Sequence, residues 1–443
     1  MLSVEDNELL TRTGPGTAMG RVLRRYWQPF ALVDELPEDR PAVDVRVLGE
    51  DIVVFRDETG RYGALERRCA HRSGDLSYGR LEDGGLRCPY HGWLWDVGGT
   101  CLDQPAEPID GRFCDRVRQP SYPCIESNGI IYGYMGEGDA PPLPGFDWHD
   151  APLTHTFVFK GLQRANWLQA TEGEIDPAHL SYLHRYLTDE IDDDTSYGFD
   201  QFLAPAEDTE ISVTSLLREI PNPRLEVEET DFGSRIYALR DGGDFMHVRV
   251  TNHLFPNGAV VAIGNWSLVQ LHVPIDDESN WRFDIFYSFD KPMNHETLMR
   301  ERLNSYDLPA YEPKRNRSNR YGFDAAEQKT GTFAGVGYDF NAHDTMILEG
   351  AGPIQDRTKE HLGYTDRPII AARRRLMAAA KDPIADDLPA LPTGERYDNL
   401  VTIDTVTAPD DWRMGWIRKH LDRRHASSWA GGIPTVKLGD ERP

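Results

Sequence analysis

Two cysteines and two histidines stand in a close frame: Cys69-x-His71, sixteen intervening residues, then Cys88-x-x-His91. Two chemistries use such a set. A tetrahedral structural zinc takes four Cys and His ligands arranged as two close pairs. A [2Fe–2S] cluster takes the same four side chains, with two thiolates on one iron and two imidazoles on the other. Its neutral nitrogen ligands raise the potential above that of an all-thiolate cluster. The frame favours the cluster on two counts. Its first pair encloses one residue, where zinc sites enclose about two to four. Both pairs also adjoin glycine-containing loops, "HRSGDL" and "HGW", whose backbone N–H groups can point at bridging sulfides.

A second constellation lies in "NWLQATEGEIDPAHLSYLH", Asn166 to His184. A mononuclear Fe(II) takes two imidazoles and one carboxylate on one side and keeps positions open for dioxygen and substrate. His179 and His184 are the candidates, but their spacing is awkward. Five residues turn a regular helix through about 140° beyond a full turn, so the two rings share a metal only across a distorted turn. Partly buried or surface histidines are the competing reading. Asp176, followed by Pro177, reads as a helix N-cap with proline at the first helical position.

At these residues the chain resembles the Rieske non-haem iron oxygenases, whose large subunits carry C-x-H-x(16–17)-C-x-x-H in an N-terminal β domain. The match covers Cys69, His71, Cys88, His91, the neighbouring glycines and Trp93. The family's catalytic domain looks like Asn-Trp…Asp-x-x-His-x(4)-His, and Asn166, Trp167, Asp176, His179 and His184 stand in that frame. The family's third iron ligand is an aspartate shortly before a segment like "GPIQDRTKEHLG". The resemblance therefore implies Asp344 as the ligand, with His343 lining or supporting the site. It gives Asp176 a different role from the N-cap, as a bridge between the cluster histidine of one subunit, His91, and an iron-ligand histidine of the next. That role implies a ring-like oligomer, a homotrimer or hexamer.

The implied activity is that of a terminal oxygenase: O2 is activated at Fe(II) with electrons drawn from NADH or NADPH through a reductase, with or without a separate ferredoxin. No flavin or nicotinamide fingerprint occurs in the chain, which places nicotinamide oxidation on a partner. The N-terminal segment, "VPIDD" and "GPIQDRT" look like the phthalate-dioxygenase-like branch, which includes aromatic O-demethylases. An aromatic, carboxylated substrate follows from that likeness. Arg185, Arg249 and His253 are candidates to meet a carboxylate. The alternative is an electron-transfer protein without oxygenase activity, although a bare cluster carrier would end near residue 145.

The elements that must position these residues fall into two styles. Residues 5–25 read as broken helix. From Pro41, short alternating runs with Gly-containing turns read as antiparallel hairpins, and the proline-rich "DAPPLPGFDWHD" (139–150) fits a boundary. After "HTFVFKG" and the helical 166–186, strand-like runs follow: "TEISVTSLLREI", "RLEVEETDF", "SRIYALR", "FMHVRVTNHLF", "AVVAIG", "WSLVQLHVPI" and "WRFDIFYSFD". "IIAARRRLMAAAKD" reads as an amphipathic helix. The expected fold is α+β: an N-terminal all-β Rieske domain and a larger catalytic domain on an antiparallel sheet, helix-grip-like. The expected divisions are 1–40 as a helical segment packing on the catalytic domain, 41–150 as the Rieske domain and 151–443 as the mononuclear-iron domain.

Bulk properties narrow the setting. With 73 acidic and 48 basic residues the net charge is −25, which disfavours nucleic acid and anionic membrane surfaces. There is no apolar run of 18 residues and no signal-like N-terminus, so a cytoplasmic location is expected. All five cysteines lie between Cys69 and Cys124. Cys101, Cys114 and Cys124 read as small buried fillers.

Overall fold

The computed structural model describes residues 1–188, 206 and 209–432. The N-terminal segment is helical over Val4–Thr11, capped by Ser3, and over Ala18–Arg24, capped by Thr17. It then extends into a strand, Gln28–Leu32, that pairs with Ile130–Gly133. Alternation is weak in "QPFAL" because all five residues are buried, which removes the period-two signal of a half-exposed strand.

Three hairpins of the N-terminal β region share one turn chemistry. Val47 pairs with Glu50, Glu82 with Gly85 and Ser127 with Ile130. The two central residues in each case, Leu48-Gly49, Asp83-Gly84 and Asn128-Gly129, have positive φ. That is the two-residue turn whose twist matches antiparallel strands, and glycine at the second place relieves its strain. The strands form two four-stranded sheets and one three-stranded sheet. Between them Val53, Phe55, Leu65, Leu86, Trp93 and Trp95 pack in one core with Cys69 and Cys88.

The larger region is built on an eight-stranded antiparallel sheet. Its spatial order is Thr156–Gln163, Asn280–Tyr287, Trp266–Pro274, Gly258–Ile263, Met246–Leu254, Gly233–Asp241 and Arg224–Thr230, with Ile403–Thr407 also pairing with Met246–Leu254. Both faces are covered. Val248 and Val250 pack against Trp412, Trp416 and Ile417 of the C-terminal helix Trp412–Ala426. Arg249, Thr251, Val261, Ile263, Leu268 and Gln270 line a cavity on the opposite face. These residues are spaced by two along each strand, so a single pleat places them together.

The helices Trp167–Glu174 and Phe340–Gly350 close that cavity. Asn166 caps the first, its side-chain oxygen accepting from Leu168 N–H at 3.1 Å. Asp339 caps the second by accepting from Asn341 N–H at 3.0 Å. Gln169 joins them by donating to the carbonyls of Leu348 and Gly352, both at 3.0 Å. A buried charge cluster fixes the first helix from below: Arg357 donates to Glu172 at 2.8 and 3.1 Å, and Arg373 adds further bonds. Burial alone would raise the Glu172 pKa, but the two guanidinium groups outweigh it and hold the carboxyl below its ordinary value. The "GPIQDRT" segment, 352–358, thus braces both helices.

One expected strand is a helix. "TEISVTSLLREI" is helical over Val213–Glu219, not a strand. Ser212 accepts from Ser215 N–H at 3.1 Å, an N-cap that outweighs the β-branched composition. Among the described residues, no helix is long and apolar enough to cross a membrane.

Candidate functional site

Cys69, His71, Cys88 and His91 converge at the tip of the N-terminal β region. Each Cys–His pair sits on a tight loop: Ser73 N–H bonds Cys69 C=O at 2.8 Å and Gly92 N–H bonds Cys88 C=O at 3.0 Å. Ser73 and Gly92 both have positive φ, which turns the chain back around each thiol. Gln119, almost fully buried, clamps the first loop by accepting from Ala70 N–H at 2.7 Å and donating to the Glu66 and Arg68 carbonyls at 2.8 and 2.9 Å. Arg67 forks onto Asp75 at 2.9 and 3.0 Å and holds its carboxyl well below the usual range. Asp75 in turn caps the Leu76–Tyr78 turn.

The thiols are buried, whereas the imidazoles are half-buried with ring centres 4.5 Å apart. His71 stacks on Trp93 at 4.2 Å. A Cβ on Gly74 would stand 2.8 Å from Cys88 Sγ, so this position must be glycine for the thiol to take its place. Trp95 Nε1–H donates to Cys69 Sγ at 3.4 Å, and a hydrogen bond from Cys69 holds the Cys88 thiol down at about 6. Two sulfurs on the inner side, one with an N–H donor, and two imidazoles on the outer side fit an asymmetric [2Fe–2S] cluster.

The second centre forms where regular helix stops. The helix from Trp167 ends at Glu174, and His179 opens a short 3-10 turn, His179–Ser181, whose carbonyl accepts from Leu183 N–H at 2.8 Å. Arg240 props this irregular stretch from the sheet, bonding Ser181 Oγ at 3.2 Å and the Pro177 carbonyl at 3.4 Å. The distortion brings the rings of His179 and His184 to 5.0 Å, which the spacing on a regular helix would forbid. Asp344 faces both: its Oδ1 lies 3.1 Å from His184 Nε2 and 4.0 Å from His179 Nε2. One donor atom from each of the three residues falls within 4.8 Å of the others. Burial and the neighbouring His184 lower the His179 pKa. Burial alone would raise that of Asp344, but the histidines outweigh it and keep the carboxyl ionised. Both groups therefore offer lone pairs, and two imidazoles with one carboxylate fit a mononuclear Fe(II).

His343 sets the tautomer of His184. Its Nε2 meets the Gly337 carbonyl at 2.6 Å, and a carbonyl can only accept, so this nitrogen carries hydrogen. Burial lowers the His343 pKa to about 3, so the ring is neutral and its Nδ1 is an acceptor. That Nδ1 lies 3.1 Å from His184 Nδ1, which must then be the donor. His184 Nε2 is left with a free lone pair on the side of Asp344 and His179.

Asp176 does not cap a regular helix. Its Oδ1 accepts from Ala178 N–H at 2.8 Å, closing a local turn, while Oδ2 lies 3.8 Å from His179 Nδ1. His179 Nδ1 is buried and has no hydrogen-bond partner among the described residues.

The adjoining cavity has an apolar wall of Leu180, Val261, Ile263, Leu268 and Phe340, with polar Arg249, Thr251, Gln270 and Asn341. Of the three residues considered for a substrate carboxylate, only Arg249 lines it. Arg185 instead donates to the Arg218 carbonyl at 2.7 Å, and His253 Nε2 meets the Pro256 carbonyl at 3.2 Å. Gln270 and Asn341 escaped the sequence reading. The period-two spacing of Gln270 with Leu268 carried a signal for the first, and nothing local marked the second.

Residues 26–123 match the Rieske [2Fe-2S] domain family, and residues 133–426 match the family described as LigXa C-terminal domain like. The chain belongs to the Rieske non-haem iron oxygenases. The "phthalate 4,5-dioxygenase oxygenase subunit" of Pseudomonas putida is 34% identical over 433 residues, covering 93% of this chain and 94% of the relative. The "5,5'-dehydrodivanillate O-demethylase oxygenase subunit" of Sphingobium is 31% identical over 419 residues, covering 89% and 88%. A solved structure of an NdmA variant from Pseudomonas putida CBB5 with theobromine shares the fold at a TM-score of 0.58 and 18% identity, covering 84% of this chain and 97% of that one. This Rieske oxygenase is thus an oxygenase component with a [2Fe–2S] cluster and mononuclear iron as cofactors, and the reading as a bare electron carrier is set aside.

Proposed function

We propose that this Rieske oxygenase hydroxylates or O-demethylates an aromatic compound bearing a carboxylate, with Cys69, His71, Cys88 and His91 holding the cluster and His179, His184 and Asp344 holding the iron. The observation that carries the reading is the convergence of those last three donors beside the cavity, with the His184 lone pair directed there by His343. When bound, the cluster supplies single electrons and the iron supplies the place where dioxygen is reduced.

The chain's own residues do the rest. The apolar wall takes a planar ring and excludes water from it. Arg249 gives two of its N–H groups to Asp404 and the Ala262 carbonyl, and its Nε has no partner among the described residues. The guanidinium is therefore charge-balanced by Asp404 and keeps N–H groups to donate to a carboxylate. Asn341 keeps an Nδ2 without a partner among the described residues, a second donor for the carboxylate, whereas Gln270 donates to Asp284 at 3.1 Å and its own oxygen can only accept, as from a substrate hydroxyl. The substrate's polar end sits against this group and its ring against Leu180 and Phe340.

Asp176 links copies of the chain in this reading. One oxygen closes its own turn and the other faces His179, while His91 and the exposed Tyr90 stand at the tip of the cluster region. A trimeric ring that seats this tip of one copy beside Asp176 of the next gives electrons a hydrogen-bonded route. The electrons come from NADH or NADPH through a reductase, with or without a ferredoxin, in the cytoplasm. Segment 41–150 serves as the electron inlet, 151–443 as the catalytic body, and 1–40 packs on that body.

The test combines metal analysis with product analysis. Asp344→Ala and His179→Ala are expected to lose one iron per chain and all substrate-dependent O2 uptake while keeping the visible spectrum of the cluster. Wild-type protein with a reductase is expected to convert carboxylated members of a panel of methoxylated, chlorinated and carboxylated aromatics. Retention of full iron and O2 uptake in both variants would remove the ligand assignment, and turnover confined to uncharged compounds would remove the carboxylate.

A further inference from the structure

Cys101 and Cys114, small fillers by the sequence reading, stand with their sulfurs 2.9 Å apart. That is within about 1 Å of the bonded S–S separation of ~2.05 Å. The approach is imposed by the backbone around them. Cys101 begins the strand Cys101–Asp103 and pairs with Trp95. The chain then loops out and returns where buried Gln104 accepts from Phe113 N–H at 2.7 Å and Asp103 pairs with Arg112 at 3.3 Å. These two ties set Cys114 against Cys101. Neither thiol belongs to the cluster set, and among the described residues no further histidine, cysteine or carboxylate completes a metal site around them.

We propose that Cys101 and Cys114 form a reversible thiol–disulfide site, oxidised by hydrogen peroxide and restored by a dithiol reductant. Cys114 is half-buried and Cys101 is buried, so the two sulfurs take different parts. Burial, reinforced by Cys114, pushes the Cys101 thiol up to about 12, which leaves Cys114 as the first to react. Its sulfur attacks peroxide; the O–O bond breaks, Cys114 becomes a sulfenic acid, and the departing hydroxide takes the thiol proton as water. The Cys101 sulfur then attacks the Cys114 sulfur; the S–O bond breaks, and the hydroxyl leaves as a second water with the Cys101 proton. Two thiols lose two electrons and two protons, and one peroxide becomes two waters. A dithiol returns both electrons and protons by exchange. The product closes the loop covalently behind Phe113, whose ring packs edge-on against Trp93 at 5.3 Å.

The experiment uses full-length holoprotein prepared without oxygen, exposed to a small excess of hydrogen peroxide, quenched, denatured in a thiol-alkylating reagent and digested without reductant. The labelled cysteines, five in the untreated chain, are expected to fall to three, with one cross-linked peptide joining Cys101 to Cys114. Dithiothreitol before alkylation is expected to restore all five. Cys101→Ser, with its cluster spectrum as the check on folding, is expected to stop at a Cys114 sulfenic acid trapped by dimedone. Cys124→Ser is expected to leave the cross-link unchanged. Should Cys101→Ser fail to fold, Cys114→Ser at the half-buried position is expected to keep Cys101 labelled at every peroxide dose. The proposal is overturned if all five thiols stay labelled at exposures that bleach the cluster, if Cys114 goes to sulfinic acid without a cross-link, or if Cys101 joins another cysteine instead.

Discussion

Replacing His343 with leucine isolates one hydrogen bond. His184 Nδ1 donates to His343 Nδ1 at 3.1 Å in a site where His184 is 4% exposed. Leucine fills a similar volume but accepts nothing, and a buried donor left without a partner costs about 1–3 kcal/mol. The ring can escape that cost by moving its proton to Nε2, where Asp344 Oδ1 waits at 3.1 Å. The escape removes the lone pair that a metal needs. Changes to such supporting partners typically cost about 10–100-fold in metal affinity, equivalent to about 1.4–2.8 kcal/mol at 1.4 kcal/mol per tenfold. Two independent routes therefore give the same size. The assay is anaerobic competition for Fe(II) with a chelator, with cluster absorbance as an internal standard. His343→Leu should bind iron about 10–100-fold more weakly with unchanged cluster absorbance. His343→Gln, whose amide oxygen can accept, should recover most of the loss. Wild-type affinity in His343→Leu, or equal weakness in both variants, would refute the tautomer argument and leave only packing.

Three further outcomes follow from the geometry. Asp176→Asn keeps an oxygen for the bond to Ala178 N–H but loses the charge; both metals should stay bound while reoxidation of the reduced cluster slows roughly 100-fold, and an unchanged stopped-flow rate would reject the bridge. Glu172→Ala strands the buried Arg357 and Arg373 and should lower unfolding free energy by about 3–5 kcal/mol, read by urea titration. The folded-state pKa of Glu172 lies below the ordinary 4.5, so its stabilisation is complete above 4.5 and is lost as pH falls through the depressed value; Glu172→Gln should show a shallower acid limb than wild type. Arg249→Lys keeps a cation beside Asp404 but loses Nε–H, and should raise KM for a carboxylated substrate about tenfold or more with iron content unchanged. An unchanged KM would place the carboxylate elsewhere.

The two centres were legible in the sequence to different degrees because they are built over different ranges. The cluster frame is local: its two cysteines and two histidines fall within 23 residues on two tight loops, and spacing together with the adjoining glycine-containing loops favours a cluster over a zinc site. Its hairpins were equally legible, since Leu48-Gly49, Asp83-Gly84 and Asn128-Gly129 carry their own turn chemistry. The mononuclear site is assembled at long range. Asp344 comes from a helix 160 residues beyond His184, and no periodicity points from one to the other; only the resemblance around "GPIQDRT" located it. The physical meaning of that segment emerges from its bonds, since Arg357 and Gln355 tie it to Glu172 and Gln169 on the opposite helix.

The spacing of His179 and His184 demands a distorted turn if the two rings are to meet, and the chain builds one. The helix stops at Glu174, Asp176 folds its own turn, and Arg240 reaches from the sheet to hold the break open. Local propensity cannot predict such a break, because the strut that stabilises it lies 59 residues away from Ser181. The same limit explains the misread 209–220, where one serine cap outweighed a β-like composition. It also explains Cys101 and Cys114. Thirteen residues apart in sequence, they look like fillers until Gln104 and Phe113 close the loop between them, and only then does a pair of sulfurs become a site.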